Sequence, residues 1–111
     1  MKVVRETHSG VLVLGPQGPI AGPDAEQLAK QLAKVLQEPD RPIVLNAAEV
    51  PYVDSRGLET LVDATEQLIR HGRALKICGA NGVLREVLVL TEVASLFEQF
   101  DDLPSAIGSC R

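Results

Sequence analysis

The chain has 111 residues, room for one domain with one buried core and little for a second. With 45% hydrophobic and 23% charged residues it has the balance of a globular protein in water, so no disulfide framework or structural metal is needed to hold it. A formal net charge of −4, no stripe of Lys or Arg and only 3% aromatic residues exclude nucleic acid as an expected ligand.

Met1 to Glu6 shows no apolar h-region, so no signal peptide is expected. No apolar run approaches the roughly 20 residues of a membrane span, which predicts a cytoplasmic chain without direct membrane insertion. Val3 and Val4 begin a first strand, Ser9-Gly10 is a turn signal, and Val11 to Leu14 is an apolar strand, so the two predict a hairpin. Gly15-Pro16-Gln17-Gly18-Pro19 is expected to exclude regular structure. Gly22-Pro23-Asp24 opens a helix with Pro near its first position. Ala25, Leu28, Ala29, Leu32, Val35 and Leu36 follow helical spacing, Glu26, Lys30 and Lys34 face outward, and Pro39 ends the element. Ile43-Val44-Leu45 reads as a central strand buried on both faces.

Gly57 to His71 predicts a second helix, with Leu58, Leu61, Val62, Leu68 and Ile69 on one face and Gly72 as its stop. Ala74 to Cys78 is another strand. Val83, Leu84, Val87 and Leu88 mark a third helix from about Asn81. Leu96 to Phe100 predicts a short edge strand, and Pro104 to Ile107 a last short helix. The alternation implies right-handed crossovers onto one sheet. The expected fold is α/β: a mixed sheet of four to five strands with about four helices packed on it, as a single domain over residues 1–111. Cys78 and Cys110 lack metal-ligand spacing and read as free thiols, one in the core and one near the tail, in a reducing compartment.

The informative stretch is Val50-Pro51-Tyr52-Val53-Asp54-Ser55-Arg56-Gly57-Leu58, between the central strand and the second helix. Val50, Tyr52 and Val53 are expected to pin it to the core. Asp54 and Ser55 are both good N-cap residues, and Gly57 permits close backbone approach. Ser55 therefore stands at or beside a helix start, beyond the carboxyl end of a central strand, where ligands and partners meet open α/β sheets. Most serines so placed only cap, and Ser55→Ala then costs about 0.5–2 kcal/mol. The other reading is a site for phosphate, received by free helix N–H groups and the helix dipole, with Arg56 adding a charge-assisted bond.

A catalytic serine needs an aligned base. His8 lies beside the first turn, and His71 lies roughly 20 Å from Ser55 along the helix. No Gly-x-Ser-x-Gly elbow is present, so no catalytic residue is assigned and an enzyme is not expected. Gly15-Pro16-Gln17-Gly18 and Gly79-Ala80-Asn81-Gly82 match neither a P-loop nor a dinucleotide fingerprint, so no cofactor and no metal are expected either.

The string Val50-x-Tyr52-Val53-Asp54-Ser55-x-Gly57-Leu58 resembles the signature of STAS domains, and within them of the bacterial anti-sigma factor antagonists. The resemblance covers essentially the whole chain and implies a STAS-like mixed sheet with helices. It also implies partner switching in transcription regulation. The unphosphorylated antagonist binds an anti-sigma factor that is also a serine kinase of the GHKL type, and so frees a sigma factor. Phosphorylation at the position of Ser55 releases it, and a PP2C-like phosphatase resets it. The implied partner-binding residues are Asp54, Ser55, Arg56 and Gly57, with Gly18 and Ala21 from the earlier loop; the chain is a monomer or weak dimer. Three positions depart from the pattern. Arg56 replaces a small residue, Ala21 an acid that contacts the kinase, and Asn46 a common Asp. The alternative implied by the family is a non-phosphorylated scaffold or accessory subunit of a membrane transport complex, such as a lipid transporter, or of another signalling complex.

Overall fold

The computed structural model describes residues 1–38 and 41–110. Pro39, the expected stop of the first helix, lies outside the described residues. Strands β1 (Lys2–His8) and β2 (Val11–Gln17) form the hairpin, in register from Lys2 opposite Gln17 to His8 opposite Val11. Then follow α1 (Gly22–Leu36), β3 (Ile43–Asn46), α2 (Ser55–Ile69), β4 (Leu75–Cys78) and α3 (Gly82–Leu90). A 3-10 turn (Ala94–Leu96) leads into β5 (Phe97–Phe100), and α4 (Leu103–Gly108) closes the order. The sheet runs β1-β2-β3-β4-β5, antiparallel at the hairpin and parallel elsewhere. Among the described residues, five strands form one mixed sheet with four α-helices packed on it, the α/β arrangement that the alternation of patterns predicts.

Side-chain alternation divides the core in two. Leu12, Leu14, Leu45 and Ile77 point to one face, where Leu28 of α1, Leu61 of α2 and Leu84 and Leu88 of α3 cover them. Val11, Val13, Val44 and Cys78 point to the other, under Ala106 of α4. Each fully buried Leu or Ile contributes about 1.5–3 kcal/mol, so this aliphatic layer compensates for the scarcity of aromatics. Thr65 is the buried polar side chain among the described residues. Its hydroxyl donates to the Leu96 carbonyl at 2.6 Å and accepts from the Leu75 N–H at 3.0 Å, joining α2 to β4 and to the turn before β5.

Four boundaries differ from the sequence reading by two residues or more. β2 continues through Gly15 and Pro16, because Lys2 to Val4 of β1 keep pairing with it. Beyond Leu14 its ladder to β3 has ended, so Pro16 sits in a strand paired on one side and its missing N–H leaves no parallel bond unmade. β1 is correspondingly longer than Val3-Val4. α2 starts at Ser55 and ends at Ile69, earlier at both ends than Gly57–His71. Ile69 is 45% exposed and leaves the expected buried face. Among the described residues, no helix is long and apolar enough to cross a membrane.

Candidate functional site

Two loops leave the carboxyl ends of parallel strands β2 and β3 and are zipped together. The Ile20 N–H donates to the Tyr52 carbonyl at 3.2 Å, and the Asp54 N–H to the Ile20 carbonyl at 3.3 Å. Ile20 pairs with Val53 in an isolated parallel bridge, and its side chain is fully buried. The Gly18 N–H donates to the Glu49 carbonyl at 3.0 Å. This pairing brings Gly18 and Ala21 to the same end of the sheet as Asp54, Ser55, Arg56 and Gly57. Ala21 precedes α1, and its carbonyl accepts from the N–H groups of Asp24 (3.1 Å) and Ala25 (3.3 Å).

Asp54 is the node of the site. Its Oδ1 accepts the Gly57 N–H at 2.8 Å and so caps α2; its Oδ2 accepts the Gly22 N–H at 2.9 Å, at the start of α1. One carboxylate thus joins two helix N-termini, where negative charge is favoured. The Gly57 bond, then the Gly22 bond, holds the Asp54 carboxyl below the ordinary aspartate range, against a smaller opposing effect of burial. Gly22 has φ +53°, a backbone geometry that side chains strain against, so a glycine suits the donor at the start of α1. A folded pKa below the unfolded one means that Asp54 stabilises the fold fully above about pH 4 and loses that contribution as pH falls through its folded value. Asp54→Asn is expected to flatten the acid limb of a melting-temperature profile and lower the plateau at pH 7; an unchanged profile contradicts this role.

Gly57 is buried because α2 begins hard against the first loop. A Cβ there would lie 1.9 Å from the Ile20 carbonyl oxygen and 2.9 Å from its carbon. Ser55 is the first residue of α2 and is exposed. Asp54 holds the capping position, which corrects Ser55 as a candidate cap. The Gly57 N–H is taken by the Asp54 side chain and the Leu58 N–H by the Asp54 carbonyl, at 2.9 Å. Of the helix-start amides expected to receive a phosphate, the Gly57 N–H is thus already taken.

Arg56 is also exposed, and its guanidinium pairs with Glu26 of α1 at 2.9 Å. A pair this exposed contributes about 0–1 kcal/mol, so the arginine is readily recruited elsewhere. Tyr52 does not pin the loop: it is 49% exposed, whereas Val50 is buried. Asn81 caps α3 through Oδ1 to the Leu84 N–H at 2.9 Å, and its Nδ2 donates to the Pro51 carbonyl at 3.0 Å. Asn46 Oδ1 accepts the Ala48 N–H at 3.1 Å, a local loop contact. Sequence reasoning missed Glu26, Gly22, Ile20 and Asn81 as parts of this site. Gly22 and Asn81 were visible only as helix starts; what ties them and Glu26 to the site is contact across more than 25 residues.

His8 pairs with Glu6 at 2.6 Å by the hairpin turn, the end of β2 far from Ile20. His71 lies two residues past the C-terminal end of the 15-residue helix that Ser55 starts, more than about 20 Å away. Among the described residues, no three His, Cys, Asp or Glu side chains are grouped to hold a metal ion. Cys78 is buried in the core under α4, and Cys110, just past α4, is half-buried and packs against that core. Burial, and secondarily the Asp102 charge, push the Cys78 thiol pKa up, which keeps it protonated.

A family model described as "STAS domain" matches residues 2–106. BtrV of Bordetella bronchiseptica, described as a proposed anti-sigma factor antagonist, is 29% identical over 97 residues, spanning 87% of this chain and 84% of that protein. The crystal structure of a proposed anti-sigma factor antagonist from Thermotoga maritima superposes with a TM-score of 0.90 at 20% identity, covering 98% of this chain and 94% of that one. An anti-sigma factor antagonist from Mycobacterium paratuberculosis superposes with a TM-score of 0.86 at 23% identity, covering 99% and 93%. Those two likenesses establish the fold. Because the family model spans nearly the whole sheet-and-helix arrangement, with the Asp54–Gly57 turn inside it, this chain belongs to the STAS domain family.

Proposed function

We propose that this protein is an anti-sigma factor antagonist that works by partner switching, with Ser55 as the phosphorylated residue. The observation that carries the reading is an exposed hydroxyl on the first residue of α2, immediately after an Asp54 whose carboxylate is locked to two backbone amides. The hydroxyl is presented on a rigid turn and open to a docking protein. No histidine of this chain lies near it to act as base, so the partner supplies that base together with the ATP and magnesium. The γ-phosphoryl group passes to Ser55 Oγ, the P–O bond to ADP breaks, and the hydroxyl proton leaves on the partner's base. This chain contributes the acceptor and the docking surface and is itself not an enzyme.

The same geometry supports a direct effect of the phosphate on docking. A phosphoserine brings about −1.5 to −2 charges. It would stand beside an ionised Asp54 that already occupies the Gly57 and Leu58 amides. Arg56 is the neighbouring cation, held only by an exposed pair to Glu26. The added charge therefore stays at the surface and repels a partner shaped around a neutral hydroxyl. Binding to the unphosphorylated form and release on phosphorylation follow. A PP2C-like phosphatase resets the cycle, in the cytoplasm.

Incubation with a serine-kinase anti-sigma factor and ATP is expected to add one phosphoryl group, about 80 Da by intact mass. The gain should vanish in Ser55→Ala. A chain that binds this partner yet never gains the mass is a scaffold, and the switch reading falls.

A further inference from the structure

Among the described residues, three of the five exposed large apolar side chains lie on α3: Val83 (55%), Val89 (64%) and Leu90 (72%). α3 buries Leu84 and Leu88 one turn apart. At about 100° per residue its opposite face therefore carries Val83, Glu86, Val89 and Leu90. Glu86 comes three residues after Val83, three before Val89 and four before Leu90, so a carboxylate stands at the middle of an apolar patch. Arg85, on the flank, is paired with Asp101 at 3.1 Å. The patch adjoins the Ser55 loop: Asn81, the cap of α3, is bonded to the Pro51 carbonyl, next to half-exposed Tyr52.

A second copy of this chain is a poor occupant. An isologous contact along the face sets Glu86 near its own symmetry mate, like charge against like charge, with nothing apolar gained at the centre. A cation fits instead. Size favours the protein that meets Ser55. A specific interface buries about 800 Å² on each partner, more than one loop supplies, and α3 adds about 14 Å of length.

We propose that the partner docking at Ser55 extends across α3 and presents a Lys or Arg to Glu86 among apolar side chains. The inference rests on the Ser55 docking reading. It is tested by calorimetric titration of a purified serine-kinase anti-sigma factor partner into wild type, Leu90→Ser, Glu86→Gln and Glu86→Lys, with intact-mass phosphorylation of wild type in parallel. Leu90→Ser is expected to bind about tenfold more weakly. Glu86→Lys is expected to bind more weakly than Glu86→Gln, by a margin that shrinks in high salt. All three should melt within about 2 °C of wild type, since the positions are exposed. Wild type that binds and is phosphorylated, with the α3 variants binding equally well, overturns this inference alone. Wild type that neither binds nor gains phosphate overturns both readings. Sedimentation showing a concentration-dependent dimer of the free chain, lost in Leu90→Ser, overturns it in favour of a second copy.

Discussion

Gly57→Val is expected to leave little folded protein at 37 °C. The first added carbon would lie 1.9 Å from the Ile20 carbonyl oxygen. That oxygen belongs to the backbone, not to a side chain that can swing away. It is held in place by the Asp54 N–H at 3.3 Å, and Ile20 itself is fully buried. Relief requires α2 to move off the first loop, which breaks the Asp54 contact to Gly22 as well. A loss of about 4 kcal/mol or more is expected, against a total near 5–15 kcal/mol for a domain of this kind. Gly57→Ala meets the same carbonyl with its only carbon, so it should be severe too, with valine worse. Thermal denaturation followed by circular dichroism reads this directly. A Gly57→Ala protein melting within about 2 °C of wild type would show that the two loops are not in the contact described.

Ser55→Asp is expected to weaken kinase binding by at least about tenfold relative to Ser55→Ala. The comparison isolates charge, because neither change removes a helix cap. Asp54 holds that position, so the sequence-level expectation of a lost cap in Ser55→Ala does not apply. The alanine variant should keep its stability to within about 0.5 kcal/mol of wild type, as other exposed substitutions do, and should keep its affinity. The aspartate sets a second carboxylate beside ionised Asp54, in reach of a partner surface built for a hydroxyl. Equal dissociation constants for the two variants by calorimetry would sink the switch. A shared loss of binding would mean that the hydroxyl itself makes the contact.

Several elements were legible from the chain because their causes are local. Ala25, Leu28, Leu32 and Val35 recur at helical spacing, and all four are buried in α1. Ile43-Val44-Leu45 is a continuous apolar run, and β3 occupies the middle of the sheet. Ser9-Gly10 turns the hairpin between strands of matching register. Each depends on neighbours a few residues away, and that is the range over which pattern and propensity act. The turn Asp54-Ser55-x-Gly57 was legible for the same reason: its capping chemistry spans four residues.

Tertiary contacts settled everything that joins distant segments. Asp54 and Ser55 are equally suitable caps in one dimension; the choice went to Asp54, whose second oxygen meets the Gly22 N–H 32 residues away. Arg56 looks unpartnered in one dimension, and only the fold sets Glu26 of α1 2.9 Å from it, in an exposed pair that leaves it recruitable. Tyr52 is apolar and reads as an anchor, but Ile20 and Val50 are the buried side chains of these loops and the ring is left half-exposed at the surface. Pro16 argued for a loop until seven residue pairs of the hairpin carried it into a strand. Local chemistry names the groups able to cap, turn or pack. Which of them do so depends on which partner arrives across the fold, and that is decided only when the whole chain has packed.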